Sequence, residues 1–252
     1  MKVELHLLAY NEAELIAFTM RHYRTFCTDI VVHDGGSTDG TQDICRRYGA
    51  EVLHWETKGQ LNDELAMKLK NECWLGTDAD WVICADADEF IYFPQGAKAT
   101  LQIYSRLGAG VIKAHGYDMF SEHYPSTPGQ IYDEVKMGTL SDKWYSKPIL
   151  FSPKKIAESG FGIGAHESEP VLMNGSRLHV GPNWPKANPP TYLLHFHHGI
   201  GPIDRIARRL DEKRERLASV NKQHGWGNFA AGRKHAAEKQ EFIKAGLHQV
   251  IL

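Results

Sequence analysis

The sequence has no long apolar run, no paired cysteines and no excess of positive charge, and each absence narrows the field. No hydrophobic stretch approaches the roughly 18 residues of a membrane-spanning helix. The opening MKVELHLL is too short for a signal peptide and reads as a first strand. Cys27, Cys45, Cys73 and Cys84 form no CxxC pair, and Cys84 lies inside an apolar run. That pattern points to a reduced, cytoplasmic protein, with peripheral contact at the inner face of a membrane left open, rather than to a disulfide-stapled secreted one. The formal net charge of −2 gives no footprint for nucleic acid. Fourteen histidines are present, but no H-E-x-x-H spacing, which argues against a metallohydrolase built on them. Internal repeats and low-complexity tracts are absent as well.

What is present suits one globular domain with a real core: 252 residues, 42% hydrophobic and 24% charged. The first half alternates strand and helix. Strands are expected at VELHLLA (3–9), DIVVH (29–33), AEVLHW (50–55) and WVICA (81–85). Helices are expected at 11–26, with Leu15, Ile16, Thr19, Met20 and Tyr23 on one side, at TQDICRRYG closed by Gly49, and at 61–74. This alternation implies an α/β, doubly wound and mostly parallel sheet whose ligands bind beyond the carboxyl ends of the strands. Ala9–Tyr10, Asp34 and Asp86–Asp88 all fall there.

The second half is less regular. GAKATLQIYSRLG reads as a helix, and AGVIKAHGYDMF as one strand running into a loop. Pro148, Pro153, Pro170, Pro182, Pro185, Pro189 and Pro190 exclude long helices between 147 and 200, leaving short strands and loops over the sheet's active edge. A helix returns at 201–217, with Pro202 in its first turn and an apolar stripe of Ile203, Ile206, Ala207, Leu210 and Leu217. Its other face carries Arg205, Arg208, Arg209, Lys213, Arg214 and Arg216; a solvated face is the usual account, and phosphates or an anionic membrane surface are the alternatives. Residues 218–252 form a polar, weakly patterned C-terminal extension.

Three stretches carry chemistry. In VICADADEF (82–90), Asp86, Asp88 and Glu89 follow a buried strand directly, where carboxylates are costly unless something positive offsets them. Hard oxygen donors at that spacing suit Mg²⁺ or Mn²⁺; a solvated turn is the plain alternative. HDGGSTDGT (33–41) is a glycine-rich strand-to-helix turn that either approaches a ligand or simply caps the next helix through Thr38 or Asp39. HFHHG (195–199) puts His195 and His197 on one strand face, as metal ligands or as backbone-bonded core histidines. Trp144, Trp184 and Trp226 either stack on sugar rings or pack.

LLAYNEAELI, VVHDGGSTDGT and DWVICADADEF stand in the order and spacing of family 2 glycosyltransferases with the GT-A fold, which the chain resembles over roughly residues 3 to 217. GIGAHESEP and LLHFHHGI look like the G-x-x-H-E and H-x-G elements of that family's SunS-like and lipopolysaccharide-core-like branch. The resemblance implies a 1–217 catalytic domain, with a nucleotide-sugar half (1–93) and an acceptor half carrying the basic helix (94–217). It implies a UDP- or GDP-sugar donor and a saccharide, lipid-linked glycan or peptide acceptor. Ala9, Tyr10 and Glu12 would line the nucleoside pocket, Asp34 would accept from the base, and Asp86 with Ala87 would approach the ribose or a metal-bound water. Asp88, with Asp86 and His197, would hold Mn²⁺ or Mg²⁺ on the diphosphate. Glu167 would be the base of an inverting transfer, with Glu169 in reserve and His166 orienting it or touching the donor.

Two departures stand out. Gly35 replaces a frequent second aspartate, and Asn62–Asp63 stands where Arg-Asn is common, so Lys58 or the arginines of 205–209 would supply the positive contact. A sugar-phosphate nucleotidyltransferase would open with a glycine-rich loop followed by Arg and Lys instead of AYNEAEL. A non-catalytic carbohydrate- or nucleotide-binding relative would not need Asp86, Asp88 and Glu167 intact.

Overall fold

The computed structural model describes residues 1–141, 145–227 and 232–251, so Trp144 lies outside the described residues. Four parallel strands, β1 (Val3–Ala9), β2 (Asp29–Asp34), β3 (Glu51–His54) and β4 (Trp81–Asp86), lie in the order β3-β2-β1-β4. They alternate with α1 (Ile16–Tyr23), α2 (Thr41–Arg47) and α3 (Asp63–Glu72). β1 and β4 are buried along almost their whole length, the near-continuous apolar signature of strands covered on both faces. Beyond β4 the sheet is completed by β9 (Leu150–Phe151), antiparallel to β4, and then by β6 (Val111–Ile112), antiparallel to β9 and so running in the direction of β4.

α1 begins at Ile16, five residues later than the pattern predicts, because residues 11–15 are used otherwise. Asn11 takes φ +51°, its amide donates to Ser37 Oγ, and the Glu12 amide donates to Thr41 Oγ1. These bonds pin the segment after β1 to the glycine-rich turn after β2.

After β4 the chain enters a second sheet that the sequence does not advertise. Its order is β13-β8-β7-β12-β5, made of β5 (Glu89–Tyr92), β7 (His115–Phe120), β8 (Met137–Leu140), β12 (Tyr192–His195) and β13 (His248–Gln249). The stretch read as a single strand from residue 109 is two strands in different sheets: β6 closes the first, and β7 joins the second after two residues. α4 (Ala97–Arg106) precedes them, α5 (Ile131–Glu134) lies between β7 and β8, and the pair β10 (Ile156–Glu158) and β11 (Val171–Leu172) flanks a short 3-10 turn at Ile163–Ala165.

α6 (Ile203–Glu215) buries Ile206, Ala207 and Leu210 against Ala236 of α8 (Arg233–Ala245), with α7 (Ser219–His224) between them. α8, in the described part of the segment 218–252, therefore packs onto α6, and β13 pairs with β8. Among the described residues no helix is long and apolar enough to cross a membrane.

Candidate functional site

A cavity of about 680 Å³ opens at the carboxyl ends of β1 and β4, within the range of small-ligand sites. Ala9, Tyr10, Glu12, Asp86, Ala87, Asp88 and His197 line it. Lys58 is exposed and Asp34 buried, and neither is among the lining residues.

The three acids after β4 have three different partners. Asp86 Oδ1 is 2.8 Å from Nζ of Lys70, a buried lysine near the end of α3. Burial alone would raise the Asp86 carboxyl, but Lys70 and then Lys147 outweigh it and hold it well below the usual carboxylate range. Glu89 is fully buried; its Oε1 lies 2.6 Å from Lys147 Nζ, and its Oε2 accepts the Asp86 amide at 3.0 Å. Asp88 faces histidines instead: Asp88, His195 and His197 place their ligand atoms within 4.8 Å of one another. The backbone of this turn is clamped from both sides, with Thr19 Oγ1 donating to Ala87 O and the Phe196 amide donating to Asp88 O.

The imidazoles are kept neutral. Burial first, then neighbouring histidine and lysine charges, pull His197 and His198 well below the ordinary imidazole value, and burial lowers His195 as well. Neutral imidazole is the ligating form. His195 Nδ1 is buried with no hydrogen-bond partner. Lys213 Nζ lies 2.7 Å from His197 Nε2, and His197 Nδ1 lies 2.7 Å from His198 Nε2. One carboxylate and two imidazoles fit a divalent transition ion, and imidazole donors favour Mn²⁺ over Mg²⁺. Asp86 is not in this triad, because Lys70 holds it.

The basic helix turns out to face the site on one side. Residues 205, 209, 213 and 216 recur at helical spacing: Arg205 bonds Glu14, Arg209 bonds Glu12, Lys213 meets His197, and the Arg216 guanidinium lies 3.3 Å from the Tyr10 ring centroid. Arg208, by contrast, is exposed. Arg216 also donates to Gly59 O, and the Leu61 amide donates to Arg216 O, so the end of α6 fastens the 57–63 loop that walls one side of the cavity.

Asp34 is used internally. Its Oδ1 accepts from the amides of Gly36 and Ser37 and from Gln42 Nε2, while Oδ2 is buried without a partner. Gly35 has a steric reason: a Cβ there would stand 3.2 Å from Thr57 Oγ1 and 3.4 Å from Tyr10 Cδ2. Glu167 and Glu169 are exposed and outside the cavity lining, but residues 163–166, including His166, line it directly before Glu167. Trp226 lines the cavity and Trp184 does not. Lys70, Lys147, Tyr145 and Lys239 also line it; none was singled out from the sequence, because each lies in a segment whose pattern shows only a helix, loop or tail.

A mixed α/β domain with a parallel-rich sheet and an acid-bearing turn beyond its central strand has the GT-A form. The chain belongs to glycosyl transferase family 2, which matches residues 5–155. No curated protein matches it. Among solved structures it is similar to TarS residues 1–349 of S. aureus, at 18% identity, over 60% of this chain and 47% of that one, with TM-score 0.38. It is also similar to glucosyl-3-phosphoglycerate synthase from Mycobacterium tuberculosis in complex with Mn²⁺, UDP and glucosyl-3-phosphoglycerate, at 19% identity over 46% of this chain and 44% of that one, TM-score 0.32. Mannosyl-3-phosphoglycerate synthase from Rubrobacter xylanophilus matches at 22% identity over 46% and 40%, TM-score 0.35. The chain thus matches less than half the length of each of these proteins.

Proposed function

We propose that the protein is a metal-dependent glycosyltransferase that moves a sugar from a UDP- or GDP-sugar to a saccharide, lipid-linked glycan or peptide acceptor, with inversion. The observation that carries this reading is the gathering of Asp88, His195 and His197 beside Lys213 in a cavity walled by Tyr10 and Arg216. The base and ribose would lie along Ala9, Tyr10 and the 57–61 loop, and the diphosphate would lie towards Asp88 and Lys213. A divalent cation held by Asp88, His195 and His197 would supply the positive charge that makes the nucleoside diphosphate a leaving group.

The chain's own groups do the rest. Lys70, and then Lys147, keep Asp86 ionised, and Lys147 anchors the buried Glu89, so the turn bearing Asp88 presents one geometry. Lys213, whose Nζ lies 2.7 Å from His197 Nε2, would add a second positive charge where negative charge develops. The acceptor approaches past residues 163–166, and the exposed Glu167 takes the proton of its attacking hydroxyl or thiol as the bond from the anomeric carbon to the diphosphate breaks. The His-Glu and His-x-Gly stretches are the features the chain would share with the SunS-like and lipopolysaccharide-core-like branch.

The test is release of nucleoside diphosphate from a panel of UDP- and GDP-sugars with Mn²⁺, for wild type and Asp88→Ala. Metal-dependent release that the substitution abolishes supports the reading. A folded protein inert to every donor identifies a non-catalytic relative and sinks it.

A further inference from the structure

A second cluster of ligating side chains lies on the same sheet, away from the carboxyl-end cavity. In β1 and β2, His6 and His33 project from one face, and Cys84 of β4 is in register with His6 on that face. The C-terminal end of α3 covers them and brings down Cys73. His6 and His33 are only 3% and 7% exposed, in a place where a sheet and its covering helix normally bury apolar side chains.

The separations fit one tetrahedral ion. Nδ1 of His6 is 3.1 Å from Nε2 of His33, and one ring nitrogen of each histidine and Cys73 Sγ all lie within 4.8 Å of one another. Two nitrogens bound at about 2.0–2.1 Å to one tetrahedral zinc stand about 3.3 Å apart, and two thiolates at about 2.3 Å stand about 3.8 Å apart. Cys73 Sγ and Cys84 Sγ are 3.8 Å apart.

The surroundings orient the donors as well. The far nitrogen of His6, Nε2, lies 2.7 Å from Glu4 Oε1, and Glu4 Oε2 accepts from Thr77 Oγ1 at 2.7 Å. A carboxylate on the outer nitrogen fixes the tautomer that leaves Nδ1 with its lone pair facing inward, as around metal-bound histidines.

We propose that His6, His33 and Cys73 bind one thiophilic divalent cation of the zinc class, with Cys84 as the nearest further donor. Sulfur and imidazole donors select such an ion over the Mg²⁺ or Mn²⁺ suited to a carboxylate-bearing site. Binding releases the Cys73 thiol proton to solvent and ties β1, β2 and the end of α3 together. It thereby fixes the helix whose Lys70 holds Asp86. The competing account is a hydrogen-bonded histidine pair beside two thiols, with no ion.

Chelator-stripped full-length protein titrated with Co²⁺ decides between them. The expected result is a sulfur-to-cobalt charge-transfer band that saturates at one ion per chain in Asp88→Ala and is lost, or weakened about tenfold or more in affinity, in Cys73→Ser. Glu4→Gln retains all the ligands and is expected to keep the band while weakening affinity by about 10- to 100-fold. Circular dichroism confirms that each variant is folded, and Glu4→Gln keeps the test open should Cys73→Ser unfold. A folded wild type without the band, a band unchanged in affinity and intensity in folded Cys73→Ser, or one that is lost in Asp88→Ala, overturns the proposal.

Discussion

Lys70 Nζ and Asp86 Oδ1 lie 2.8 Å apart, with the lysine side chain 4% exposed and the aspartate side chain 40% exposed. The asymmetry decides which partner is costlier to lose. Removing the carboxylate strands a buried ammonium, whereas removing the lysine leaves a carboxylate that water partly reaches. Asp86→Ala is expected to destabilise the fold by about 3 kcal/mol, the low end for a broken buried pair because Glu89 remains nearby. Lys70→Met should cost less. Urea unfolding of both variants and the double mutant measures the difference and the coupling. The pair also sets an acid limit: Asp86 is depressed on folding, so its stabilisation is present at neutral pH and is lost as pH falls below about 4.

Asp118 behaves oppositely. Burial pushes its carboxyl up to about 7, and Oδ1 has no hydrogen-bond partner. A folded value above the unfolded one means that stability is fully present below about pH 4 and is lost as pH rises through 7. Asp118→Asn should therefore raise the melting temperature at pH 8 more than at pH 5. Thermal melts at the two values check it, and an equal shift at both would contradict the assignment.

Arg216 over Tyr10 closes the side of the cavity where the proposed nucleotide would lie. Arg216→Ala removes that contact and the anchor on Gly59 O. Nucleotide affinity is expected to fall about 5- to 30-fold, from roughly 1–2 kcal/mol of lost interaction. Fluorescence titration with a labelled nucleoside diphosphate reads it directly.

The base assignment is tested by Glu167→Gln, which should lower kcat by about 10²- to 10⁴-fold with KM for the donor little changed. Full activity in this variant, with loss in Asp118→Asn, would move the base to the buried carboxyl beside Tyr145.

The parallel part of the first sheet was legible because β1 and β4 are rich in apolar residues and buried along almost their whole length, and are separated by helices of ordinary period. The second sheet was not: β13, β8, β7, β12 and β5 are two to six residues long and come from distant parts of the chain, so no window contains their pairing. The same holds at the site. Asp86 and Asp88 declare themselves at the end of a strand, yet what separates their roles is Lys70, sixteen residues upstream of Asp86 on a helix with an unremarkable pattern. Reading the run from Arg205 to Arg216 as a solvated face held for Arg208 but not for Arg209, Lys213 and Arg216, whose helical spacing was visible and whose target was not.

The central claim is that Asp88 and its two histidines bind a divalent cation together with a nucleoside diphosphate. Calorimetric titration of UDP and GDP, each with and without Mn²⁺, into wild type and Asp88→Ala tests it most directly. The account predicts saturable binding of one nucleotide that requires Mn²⁺ and disappears in the variant. Metal-independent binding, equal in wild type and Asp88→Ala, would contradict it.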